Sequence, residues 1–136
     1  MRILCIDWGA KRTGIAVTDP LKIIASALTT VETKDAISFL KKYTQQEAVE
    51  LFLIGMPFNL DDSQTHATLS VQHFINRLKK EFAKIPVKTI DERYTSKMAV
   101  RAMIDMGMKK KERRKKENVD SIAATLMLQE YLNTIS

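Results

Sequence analysis

The run Leu51 to Gly55, LFLIG, is apolar up to its closing glycine and is bounded by the Met56-Pro57 step. A strand without polar alternation buries both faces, so it belongs inside a sheet covered on both sides. Segments with apolar residues at intervals of three and four lie on either side of it. Ala36, Ile37, Leu40 and Tyr43 precede it, and Ala67, Val71, Phe74, Ile75, Leu78 and Phe82 follow it. Both read as amphipathic helices, the second capped by Ser63. After Pro86 comes a short strand, VKTID. Strand, helix, strand in this order implies parallel strands joined by right-handed crossovers.

The opening of the chain has a different pattern. Arg2 to Asp7 and Thr13 to Asp19 are strand-like runs joined by a short turn containing Gly9, which predicts an antiparallel hairpin. A weaker third strand falls within Ile24 to Val31. Beyond VKTID, Thr95 or Ser96 caps a helix carrying Met98, Ala99, Ala102 and Met106, which stops near Gly107. Asn118 caps a last helix with Val119, Ile122, Ala123, Leu126 and Tyr131 on one side. The expected architecture is α/β, a mixed five-stranded sheet flanked by helices on both faces. At 136 residues the chain has the size of one domain.

The net charge of +6 is carried by one tract. Lys109 to Lys116, KKKERRKK, holds seven basic residues and one acid, and the charges elsewhere cancel. Such a tract is either a solvated loop or an arm for a polyanion, since Lys and Arg near phosphates release condensed counterions. No apolar stretch approaches the roughly 20 residues of a membrane span. Met1-Arg2 leads straight into strand-like sequence, which argues against a signal peptide and for a cytoplasmic protein. Cys5 is alone and sits in an apolar run, as a small core residue would. His66 and His73 are seven apart, which does not favour a zinc site.

The acids carry the chemistry. Asp7 closes the first strand, Asp91 and Glu92 close the last, and Asp120 lies in the first turn of the final helix. In an open sheet with parallel strands, the strand ends and adjoining helix tips form the usual ligand site. Carboxylates brought together there repel unless a hard divalent cation offsets the charge, and oxygen-only ligands suit Mg²⁺ or Mn²⁺. Each acid alone also fits a plain part: Asp7 a turn, Asp120 the helix dipole, Glu92 a surface pair with Arg93.

Four blocks go further. DWGAKRTGIAVTD, the GMP at Gly55 to Pro57, the DERYTS at Asp91 to Ser96 and the closing VDSIAATLMLQEYL resemble the YqgF/RuvX family of RNase H-like proteins. They lie in family order and span nearly the whole chain. The resemblance implies a single RNase H-like domain over residues 1–136, within which the run of like charge predicts a mobile basic loop at 108–117. It implies a nuclease in which Asp7, Glu92 and Asp120 are catalytic and bind metal. It also implies maturation of the 5′ end of pre-16S ribosomal RNA, with Holliday-junction resolution as the alternative. The sequence departs from the family at Asp62, where Gly is usual.

On that basis two cations, held by the three acids, are expected to drive phosphodiester hydrolysis. Lys11, Arg12 and Arg93 stand beside Asp7 and Glu92 in sequence and are expected to meet phosphates. Lys109, Lys110, Lys111, Arg113, Arg114, Lys115 and Lys116 are expected to clamp structured RNA or branched DNA near the metals. Resolving a junction symmetrically calls for a homodimer, whereas trimming an RNA end calls only for a monomer. Two rivals remain: a binding module without catalysis, and a phosphotransferase with a nucleotide-cradling Asp-x-Gly hairpin. The second needs two lobes, and this length supplies one.

Overall fold

The structure, a computed structural model, describes residues 1–57, 66–91 and 116–135, without the side chains of residue 66 and residues 116–120. The opening hairpin pairs β1 (Arg2–Asp7) with β2 (Arg12–Thr18), and β3 (Ala25–Glu32) follows. A 3-10 turn at Thr33–Asp35 leads into α1 (Ala36–Gln46), β4 (Val49–Met56), α2 (His66–Glu81), β5 (Val87–Asp91) and α3 (Lys116–Ile135). The five strands lie in the order β3-β2-β1-β4-β5. β1, β2 and β3 run antiparallel in sequence, whereas β1 with β4 and β4 with β5 are parallel, as the crossover helices require.

Period-two alternation divides the core between the faces. Leu4, Ile6, Ile15, Phe52 and Ile54 pack with Ile37 and Leu40 of α1 and with Val71, Ile75 and Leu78 of α2. Ile3, Cys5, Ala16 and Leu53 point the other way and pack with Ala124, Met127, Leu128 and Leu132 of α3. Cys5 is a free, fully buried thiol, as its apolar context predicted. The expected mixed sheet with helices on both faces is therefore present. Among the described residues no helix is long and apolar enough to cross a membrane.

Three local expectations are corrected. Ala67 is exposed, and the neighbouring Thr68 is buried in its place, its hydroxyl donating to the carbonyl of Pro57. The chain leaves the sheet at Pro57, and threonine satisfies the carbonyl there where alanine has no donor. α3 begins at Lys116 rather than after a cap at Asn118, as lysine and glutamate are good helix formers. Its buried stripe is Ala123, Ala124, Met127, Leu128 and Leu132, with Ile122, Leu126 and Tyr131 only half-buried. The helix is apolar on several sides, so spacing alone does not choose its inner face, and the two small alanines favour close approach to the sheet. The Ser63 cap, the helix expected between Thr95 and Gly107, and Asp62 lie outside the described residues.

Candidate functional site

The tip of β1 is the best-defined part of the site. Asp7 pairs with Gly14 of β2, and Gly14 pairs with Thr30 of β3, so the three form one row across the sheet. On the other side, the register that sets Ile6 against Ile54 sets Asp7 beside Gly55. The acid is thus flanked along its row by two residues without side chains. Alternation from Ile3 and Cys5 puts Asp7 on the face that α3 covers. It is half-buried there.

The turn after Asp7 is held from the next strand. Thr33 donates its backbone N–H to the carbonyl of Lys11 at 3.0 Å and its hydroxyl to the carbonyl of Gly9 at 2.5 Å. That leaves the buried Thr13 hydroxyl to donate to Thr33 Oγ1 at 2.8 Å. Gly9 is required by close approach, because a Cβ there would stand 2.4 Å from the Arg12 carbonyl oxygen. Trp8 packs its partly buried ring against the α1 and α2 side of the core. The turn bearing Lys11 and Arg12 is therefore fixed at both ends, with Lys11 exposed and Arg12 half-buried.

Beside this turn lies an open cavity of about 600 Å³, bounded by the turn and by the end of β3. Sequence reasoning found Lys11 and Arg12 but missed Thr33, which pins the turn, and Lys34, which lines the cavity with them. Nothing in the sequence singled out either, since their role comes from the β2–β3 register.

Glu92 and Arg93, like the basic residues 109–115, lie outside the described residues. Asp120 and Lys116 fall on the first turns of α3, in backbone only. Asp91 ends β5, paired with Met56. Among the described residues no group of three His, Cys, Asp or Glu side chains is gathered to hold a metal.

This sheet order and helix placement define an RNase H-like fold, and solved structures with it include junction resolvases. One is Thermus thermophilus RuvC in complex with a Holliday junction substrate, with a TM-score of 0.58, 14% identity and coverage of 99% of this chain and 96% of that one. Another is the Fowlpox virus resolvase with substrate Holliday junction DNA, at a TM-score of 0.57, 15% identity and 99% coverage of both chains. At such identities the likeness shows the fold alone.

The sequence identifies the family. The RuvX model, described as Holliday junction resolvase, matches residues 1–134, and the chain belongs to that family. A curated relative from Christiangramia forsetii, named "Putative pre-16S rRNA nuclease", is 51% identical over 131 residues, covering 96% of this chain and 97% of its own. A relative of the same name from Flavobacterium psychrophilum is 48% identical over 131 residues, covering 96% of each chain.

Proposed function

We propose that this chain is a divalent-metal-dependent nuclease that processes the 5′ end of pre-16S ribosomal RNA in the cytoplasm, with Asp7, Glu92 and Asp120 as its metal-binding and catalytic acids. The observation that carries this reading is the acid at the tip of β1, on the face covered by α3 and flanked by Gly14 and Gly55. The donor set is oxygen only, which fits Mg²⁺ or Mn²⁺. Such cations, once held, supply Lewis acidity toward the phosphoryl oxygens and a water of lowered pKa.

For the other two acids, the support comes from neighbouring parts of the fold. Ile90, two residues before Glu92 in sequence, packs on the α3 face. For Asp120, the support is the level of α3 along the strands. Gln129 Oε1 accepts from Ala25 N at 3.4 Å, Ala25 pairs with Thr18, and Thr18 Oγ1 accepts from Ile3 N at 3.0 Å. Going back nine helical residues from Gln129 covers about 13 Å, and going on four strand residues from Ile3 also covers about 13 Å. For a helix running back along β1, these equal lengths support a shared level for position 120 and Asp7.

In this reading the carboxylates of Asp7, Glu92 and Asp120 hold the cations. Lys11, Arg12 and Arg93 meet the scissile or flanking phosphates. Lys109, Lys110, Lys111, Arg113, Arg114, Lys115 and Lys116 retain the flanking strand through charge, without reading bases.

A second reading, resolution of four-way DNA junctions, is favoured by the description of the matching family model. The experiment is metal-dependent cleavage of a precursor rRNA leader and a four-way junction side by side. The parent is expected to cut the leader in Mg²⁺ or Mn²⁺ and to be silent in chelator. Asp7→Asn is expected to lose roughly 100-fold or more in rate, the scale of a ligand worth several kcal/mol. Equal rates for parent and variant refute the assignment. No response to metal in either cleavage or melting temperature points instead to a binding module without catalysis.

A further inference from the structure

The cavity beside the β1–β2 turn is separate from the Asp7 tip but opens at the same end of the sheet. Its walls are Ala10, Lys11 and Arg12 from the turn and Thr30, Val31, Glu32 and Lys34 from β3 and the 3-10 turn. Three of these seven residues are cationic and one is acidic. The Nε of Arg12 is buried and makes no hydrogen bond, an unusual condition for a guanidinium donor. The single acid, Glu32, faces Arg12 across the β2–β3 ladder, yet its carboxylate is engaged by Lys34, Oε2 to Nζ at 3.2 Å. That hydrogen bond raises the pKa of the Lys34 ammonium above its ordinary value.

The position also matters. β3 is two strands from β1, about 10 Å across the sheet. A nucleic-acid strand crossing the tip of β1 therefore passes this cavity within a nucleotide or two of the bond at Asp7.

We infer that this cavity is a second phosphate subsite, in which Arg12, Lys11 and Lys34 receive a backbone phosphate of the substrate strand one or two nucleotides from the cut, with Glu32 as a competing anion. The inference rests on the proposed nuclease reading and adds Lys34 and Glu32, which that reading does not use. Lys34 exchanges a carboxylate partner for a phosphate, and Glu32 opposes every ligand of its own sign.

Opposite-signed variants test it, because a structural fault does not produce opposite effects. Fluorescence anisotropy of a labelled RNA leader with the full chain in chelator reads binding without cleavage. Lys34→Ala is expected to weaken binding roughly threefold to tenfold at about 0.1 M salt and to lower the slope of log affinity against log salt by about one unit. Glu32→Gln is expected to tighten binding. Lys79→Ala, an exposed control on the outer side of α2, is expected to change neither quantity appreciably. Unchanged affinity and slope in both cavity variants overturn the subsite, while cleavage by the parent leaves the nuclease reading standing. If Lys34→Ala abolishes binding of inorganic phosphate in calorimetry yet spares the RNA, the assignment to the substrate strand is overturned. A parent that binds but never cleaves with metal refutes the nuclease reading, and the variants still decide the cavity.

Discussion

At the scale of the residue, the clearest case of a side chain shaping the backbone is Asp19, at the end of the sheet away from Asp7. Its Oδ1 accepts the N–H groups of Ile23 and Ile24, each at 2.8 Å, and its Oδ2 accepts that of Leu21 at 3.1 Å. The carbonyl of Asp19 takes the N–H of Lys22 at 3.0 Å, and Lys22 is left-handed at φ 59°. The loop thereby holds Leu21, Ile23 and Ile24 outward despite their apolar character. The donors lower the Asp19 carboxyl below its ordinary value, with the Ile24 N–H foremost. A depressed folded value means stability present above the unfolded value and lost as pH falls through the folded one. Asp19→Ala is therefore expected to melt below the parent at neutral pH, with the gap closing in acid beneath the ordinary carboxylate range. Melting curves at several pH values check this, and a gap that is constant or widens on acidification contradicts it. The sequence announced the turn through Asp19-Pro20, but the three-fold capping depends on a register that no spacing reveals.

At the scale of the element, α3 shows where periodicity is informative and where it is not. Its existence was legible, but its inner face was not, because Ile122, Leu126 and Tyr131 compete with Met127, Leu128 and Leu132 for the same sheet. The resolution has an energetic signature. Leu128 is fully buried against the sheet, whereas Leu126 is half-buried. Leu128→Ala is expected to cost about 2–5 kcal/mol and Leu126→Ala clearly less, read from urea midpoints. The reverse order would turn the helix on its axis. α1 and α2 were easier, since each has one apolar stripe, and only the first turn of α2 was misjudged at Ala67. There the hydrogen-bonding need of the Pro57 carbonyl outweighed hydrophobicity. Between these helices, Lys41 and Glu81 form an exposed pair at 2.6 Å, which contributes little to stability.

At the scale of the whole molecule, the mixed sheet was readable because the continuous apolar strand belongs inside it and the opening hairpin does not need a crossover. The acid at the β1 tip was readable because it ends a buried run. Lys34 was not, since it approaches Arg12 only after β3 has paired with β2. The division of the core carries a temporal consequence. Ile3, Cys5, Ala16, Leu51 and Leu53 all precede residue 54, yet they are covered by a helix of 20 residues that starts at Lys116. As the polypeptide emerges from the ribosome, α1 and α2 can seal one side of the sheet while the other waits for α3, inviting aggregation. A chain stopped after Lys115 is expected to pellet on expression or to bind an apolar dye strongly. A truncated product that stays in solution and melts cooperatively would show that the nascent sheet needs no late-arriving cover.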